Sequence, residues 1–150
     1  MFDVNRFIIM RGLPGSGKSH LAQRIWADAK ARPWISAYVL STNQYWYRPD
    51  NFYDFNASLV SAAHTWNIKR AHKIARISRT QIIIIDHTNI KLEHIKPYII
   101  GLPKRWRIEY MVPDTPWAWD VEECHRRCQH GVPLASIQRM KDQYEPHEHA

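Results

Sequence analysis

The eight residues Gly12-Leu13-Pro14-Gly15-Ser16-Gly17-Lys18-Ser19 constrain this chain more than any other stretch. They match G-x-x-x-x-G-K-[ST], a loop whose backbone N–H groups cradle phosphates. Such a loop works only between a strand and a helix, and both flanks comply. Arg6 to Arg11 reads as a short buried strand, and Lys18 to Lys30 as a helix. In that setting the N–H groups of Gly15, Ser16, Gly17, Lys18 and Ser19 can wrap an anion while the helix N-terminus adds its dipole. Gly12, Gly15 and Gly17 allow the sharp turn and the close approach. Lys18 is the expected bridge to the terminal phosphates, and the Ser19 hydroxyl the expected ligand of Mg²⁺. A nucleoside triphosphate is the ligand this loop predicts.

The remaining pattern says what surrounds the loop. Further strands are expected at Ile35–Leu40, Gln81–Asp86 and Arg105–Val112. Between them lie a long helix from an Asn56 N-cap to about Ile77, a helix over Lys91–Leu102 interrupted by Pro97, and helices over Trp119–Cys128 and Pro133–Tyr144. Leu59, Ala63, Trp66, Ile74 and Ile77 recur near helical spacing and are the expected buried stripe of the long helix. Lys69, Lys73 and Arg76 lie on another face, which reads as solvated surface. Strands alternating with helices predict α/β architecture, a parallel P-loop kinase-like sheet flanked by helices. With 150 residues, no repeat and no linker, one domain over 1–150 is expected.

Charge narrows the partners. A net charge of +7 is unusual for an enzyme of neutral metabolites and favours polyanions, with nucleic acid the first candidate. The longest apolar runs, Phe7–Met10 and Ile82–Ile85, are too short to span a membrane. No targeting segment is visible, so an intracellular setting, cytoplasmic or nuclear, is expected. The two cysteines, Cys124 and Cys128, share one predicted helix and supply no disulfide framework.

Two more segments carry chemistry. Asp86 ends the most apolar strand, on the side of the sheet where the phosphate loop opens. There it can orient Mg²⁺; the plainer reading is a helix cap or turn residue for His87-Thr88-Asn89. Arg126 and Arg127 end one helix and precede a Gly131 hinge and a new helix, the layout of a mobile lid. Guanidinium groups there can meet charge on a transferring phosphoryl group. Cys124, His125, Cys128 and His130 lie close together but lack a second ligand pair at zinc spacing, so packing is the expected role of the cysteines.

Together these residues resemble a family. Arg11 to Ser19, Ala63-His64-Thr65-Trp66-Asn67, Ile85-Asp86-His87-Thr88-Asn89, Lys96-Pro97-Tyr98, Pro113-Asp114-Thr115-Pro116-Trp117 and His130-Gly131-Val132-Pro133 occur in the order seen in P-loop polynucleotide-kinase-like domains. That family is typified by the Nedd-binding-protein type and, more distantly, by the phage polynucleotide 5′-kinase. The resemblance covers nearly the whole chain. It implies ATP- and Mg²⁺-dependent transfer of a γ-phosphoryl group to the 5′-hydroxyl of DNA or RNA. It also implies an arginine-bearing lid, with Arg126 or Arg127 over the phosphates.

One departure stands out. Where the family reads Ser-Thr-Asp-Asp-Tyr, this chain has Ser41-Thr42-Asn43-Gln44-Tyr45. The first family aspartate is the implied general base, and Asn43 replaces it with an amide that cannot usefully accept a proton. Loss of a general base costs about 10²–10⁴-fold in rate. Asp50 or Asp54 in the same loop could substitute. The alternative is a catalytically weak or inactive nucleotide-binding module that recognises nucleic-acid ends or a protein partner; a small-molecule kinase is a lesser one. The aromatic loop of Tyr45, Trp46, Tyr47, Phe52, Tyr53 and Phe55 fits stacking on unpaired bases, and equally fits ordinary packing.

Overall fold

A computed structural model describes residues 5–77, 79–129 and 131–147. Four strands, β1 (Asn5–Met10), β2 (Ala37–Leu40), β3 (Ile82–Ile85) and β4 (Trp106–Met111), form one parallel sheet in the order β2-β3-β1-β4. Arg6 pairs with Ile82 and Ile9 with Ile85, while Ile8 of the same strand faces Glu109 of β4. β3 consists of four isoleucines, all buried. That is the composition of an inner parallel strand covered on both faces.

Among the described residues five α-helices accompany the sheet: α1 (Lys18–Lys30), α2 (Val60–Ala75), α3 (Leu92–Ile100), α4 (Val121–Arg127) and α5 (Leu134–Gln143). Strand alternation divides the core. Phe7, Ile9, Ile83 and Ile85 pack with Ala71, Ala75, Ile95, Tyr98 and Trp106 on one face. Ile8, Met10, Ile82 and Ile84 pack with Ala22 and Ala29 on the other. A third cluster of Leu13, Ile90, Val121, Cys124 and Ile137 ties the phosphate loop to α4 and α5. Among the described residues no helix is long and apolar enough to cross a membrane.

The long helix departs from its expected form. Asn56 does cap, but it caps a 3-10 turn, Ala57–Leu59, by accepting from the Ser58 N–H at 3.0 Å. The helix proper starts at Val60. Its buried stripe is Ala63, Asn67, Ala71 and Ala75, whereas Leu59 and Ile77 are exposed. Ala71 and Ala75 pack with the strand core, Asn67 Nδ2 donates to the Tyr98 hydroxyl of α3 at 2.8 Å, and the expected Trp66 and Ile74 are half-buried. Lys69, Lys73 and Arg76 are exposed, as expected. Pro97 lies inside α3 without ending it.

Candidate nucleotide and acceptor site

The phosphate loop leaves the carboxyl end of β1 and enters α1. Gly12, Gly15 and Gly17 have φ of 153°, 80° and 107°, a region that side chains other than glycine rarely occupy. The N–H groups of Gly15, Gly17, Lys18 and Ser19 have no acceptor among the described residues, and the buried Ser16 Oγ has no partner. Lys18 is buried, its Nζ donating to the Leu13 carbonyl at 3.3 Å. Burial pushes its pKa down, opposed chiefly by Asp86. Orphan donors around a poorly compensated buried cation fit a phosphate. Ser19 is exposed and Asp86 half-buried, oxygen donors of the hard type that Mg²⁺ takes.

Asp86 follows β3, and its N–H donates to the Leu40 carbonyl at 2.9 Å, between the ends of β2 and β3. It is not a helix cap, since α3 begins only at Leu92 with Lys91 as its cap. The turn role belongs instead to Asn89 at φ 45°, whose Nδ2 donates to the Met10 carbonyl at 2.8 Å. Arg11, fully buried, completes the seam by donating to the Asn89 and Ile90 carbonyls at 2.8 and 2.9 Å. Its guanidinium also lies 4.5 Å over the Tyr144 ring. Sequence pattern alone assigns Arg11 and Asn89 no role of their own. Their only signal is their position inside the motifs of the family.

The loop after β2 begins as a 3-10 turn, Thr42–Trp46, capped by Ser41. The Asn43 N–H donates to Ser41 Oγ at 3.2 Å, and the Ser41 N–H to Gln44 Oε1 at 3.2 Å. That reciprocal pair is a capping box, and it gives Gln44 a structural task. Gln44 Oε1 also accepts from Arg70, which further donates to the Ser41 carbonyl at 3.0 Å and Asn67 Oδ1 at 2.8 Å. Arg70 lies 4.0 Å over the Trp66 ring, and burial pushes its pKa down to about 10. Asn43 is half-buried, and its side chain has no hydrogen-bond partner among the described residues. Beside it, Thr42 Oγ1 meets His87 Nδ1 at 3.2 Å, which joins this loop to the Asp86 turn. His87 lies 4.7 Å from His64; burial first, then His64 and Lys18, push its pKa down to about 3. Asp50 and Asp54 are exposed and pair with Arg48 at 3.3 and 3.9 Å. Of the aromatic loop, Trp46 is buried against Tyr45 and Phe55, whereas Tyr47, Phe52 and Phe55 remain exposed. The packing reading and the open-platform reading thus each hold for part of the loop.

The predicted lid sits on the phosphate loop. Asp120 caps α4 by accepting from the Glu123 N–H at 3.1 Å. Arg126 and Arg127 both donate to the Glu123 carboxylate, which holds its pKa down at about 2. Arg127 also lies 3.6 Å over the Trp117 ring, and Trp117 Nε1 donates to the Gly15 carbonyl at 3.1 Å. Thr115 Oγ1 donates to the Ser16 carbonyl at 2.8 Å. Arg127, not Arg126, is therefore connected to the loop. Cys124 is buried with Sγ directed at the Trp117 carbonyl, 3.3 Å away, in the packing role expected of it. No group of three or more potential ligands able to hold a metal ion occurs among the described residues, and His130 lies outside them.

Comparison with known proteins agrees with this geometry. Over 139 residues the chain is 37% identical to NEDD4-binding protein 2 of Homo sapiens, a match that covers 92% of this chain and 8% of that protein. It thus spans less than a tenth of that relative's length. Among solved structures, the Pnkp1/Rnl/Hen1 RNA repair complex contains a chain matching at TM-score 0.67 and 21% identity, with 95% of this chain and 45% of that one covered. The Mycobacterium tuberculosis APS kinase CysC, in complex with AMPPNP and APS, matches at TM-score 0.61 and 19% identity, covering 99% and 86%. Both share the P-loop kinase fold. Residues 7–147 match the AAA domain family, and the chain belongs to that family of P-loop proteins.

Proposed function

We propose that this chain transfers the γ-phosphoryl group of ATP to the 5′-hydroxyl of a nucleic acid. The observation that carries the reading is the Thr42–His87 contact, which holds the loop after β2 against the Asp86 turn at the mouth of the phosphate loop. In this arrangement the N–H groups of Gly15, Gly17, Lys18 and Ser19 and the Lys18 ammonium bind the triphosphate, while those of Gly12 and Ser16 donate to the Thr88 and Leu13 carbonyls. Ser19 and Asp86 would hold Mg²⁺, which when bound neutralises charge on the phosphates. Arg127 would swing from Glu123 to the transferring group. The acceptor lies over Thr42 and Asn43, with Arg70 and the exposed Tyr47, Phe52 and Phe55 offering cationic and stacking surface. The similarity to a chain of an RNA repair complex supports a nucleic-acid acceptor, and a cytoplasmic or nuclear setting belongs to the same reading.

The second reading, a nucleotide-binding module without transfer, is favoured by the amides. Gln44 is engaged in the cap, and Asp50 and Asp54 are engaged by Arg48, so none of them stands free as a base. A transfer assay with labelled ATP on 5′-hydroxyl oligonucleotides, beside a nucleotide titration, separates the two. Transfer that Lys18→Ala abolishes supports the kinase. Binding with no transfer selects the module, and transfer only to small hydroxyl compounds would move the acceptor class.

A further inference from the structure

At the end of the sheet away from the phosphate loop lies a cleft of about 720 Å³ that the phosphotransfer reading does not use. It opens where β2 and β3 begin, one full length of β1 from Gly12, which is about 20 Å for its residues. Trp34 and Tyr38 line it and are 72% and 38% exposed. Lys30 and Arg79 line it from the end of α1 and the approach to β3, and among the described residues its lining includes no acid. Thr80, in the same lining, is buried, and its Oγ1 has no hydrogen-bond partner among the described residues. An indole left open beside two cations, in a chain of net charge +7, suits a flat, electron-rich ring joined to an anion.

We propose that this cleft binds a nucleobase–phosphate unit. The base stacks on Trp34, and Lys30 and Arg79 meet the phosphate. Stacking on an open aromatic beside cations tolerates any base, so the site takes unpaired nucleic acid without regard to sequence. Free nucleotide carries the same unit and is the second source. Either would bind remote from ATP and independently of whether phosphoryl transfer occurs.

The test measures binding of a 3′-labelled oligothymidylate of roughly a dozen nucleotides by fluorescence anisotropy across a salt series. Trp34→Ala is expected to weaken binding at least about fivefold. The Lys30→Gln, Arg79→Gln double variant should lower the salt slope by about 0.7 for each phosphate that is no longer neutralised. All these side chains are exposed, and an unchanged thermal midpoint will show that the variants fold. ATP affinity should not move. Thymidine monophosphate that competes through Trp34 identifies free nucleotide as a source; failure to compete, with the Trp34 effect retained, identifies a strand. Oligonucleotide affinity and salt slope unchanged in both variants would overturn the proposal. So would an equal loss for fully paired duplex, whose bases cannot stack on Trp34.

Discussion

The carbonyl oxygen of Cys124 stands where a Cβ on Gly15 would project, so α4 and the phosphate loop meet backbone to backbone. Neither backbone can yield as a flexible side chain could, and Gly15 also sits at φ 80°. Gly15→Ala is expected to cost roughly 2–5 kcal/mol, left-handed strain and overpacking together. Gly131 has φ 66° but nothing within 4 Å of an added Cβ, so Gly131→Ala should cost strain alone. Urea unfolding of both variants checks the difference. Equal losses would mean that the Cys124 contact does not hold in solution.

Arg126 and Arg127 share Glu123 in this structure, but only Arg127 reaches the loop through Trp117. Arg127→Ala should therefore lower transfer by about 10²-fold or more while nucleotide affinity hardly changes, because a guanidinium over the phosphates acts mainly on transition-state charge. Arg126→Ala should do little. Single-turnover rates beside nucleotide titrations make the comparison, and the reverse ranking would reject the assignment.

Asn43 and Gln44 stand where the family resemblance implies adjacent acids, and among the described residues the structure engages only the Gln44 side chain, in the cap and with Arg70. Asn43→Asp puts a proton acceptor beside Thr42 and should raise a base-limited transfer rate by part of the 10²–10⁴-fold range. Gln44→Asp should give no such gain. Its shorter side chain gives up the cap to the Ser41 N–H and the Arg70 contact, at roughly 0.5–2 kcal/mol of stability. Rates and thermal midpoints of both variants test the split. A faster Gln44→Asp enzyme would place the base one residue on.

Burial holds His87 neutral, with a pKa of about 3 in the fold against an ordinary value of about 6.5, and His64 is shifted in the same direction. Between those values the unfolded chain binds a proton that the folded chain refuses. Stability attributable to His87 is thus complete above about pH 6.5 and falls as pH drops towards 3, by up to about 1.4 kcal/mol per pH unit. His87→Asn should flatten that slope. Chemical unfolding at pH 7 and at pH 5 reads it, and an unaltered slope would show that His87 is not the group responsible.

The phosphate loop, the four strands and the helices between them were legible because each is a local pattern: glycines at fixed spacing, a four-isoleucine run, apolar residues at helical period. Legibility failed where a residue's task depends on something distant in the chain. Leu59 and Ile77 fit the periodicity of the long helix, yet they are exposed, and the residues it buries are Ala63, Asn67, Ala71 and Ala75. Gln44 looked like a lost acid, and only the fold shows that it caps its own turn and receives Arg70.

By itself, the sequence determined a strand–loop–helix able to cradle phosphates, since glycine placement and backbone N–H groups belong to consecutive residues. It determined the parallel α/β class in the same way. Only the tertiary structure decided the strand order, which arginine reaches the loop, and that Thr42 meets His87. Those relations join segments tens of residues apart, and packing fixes them through shape and burial that no short stretch of chain encodes.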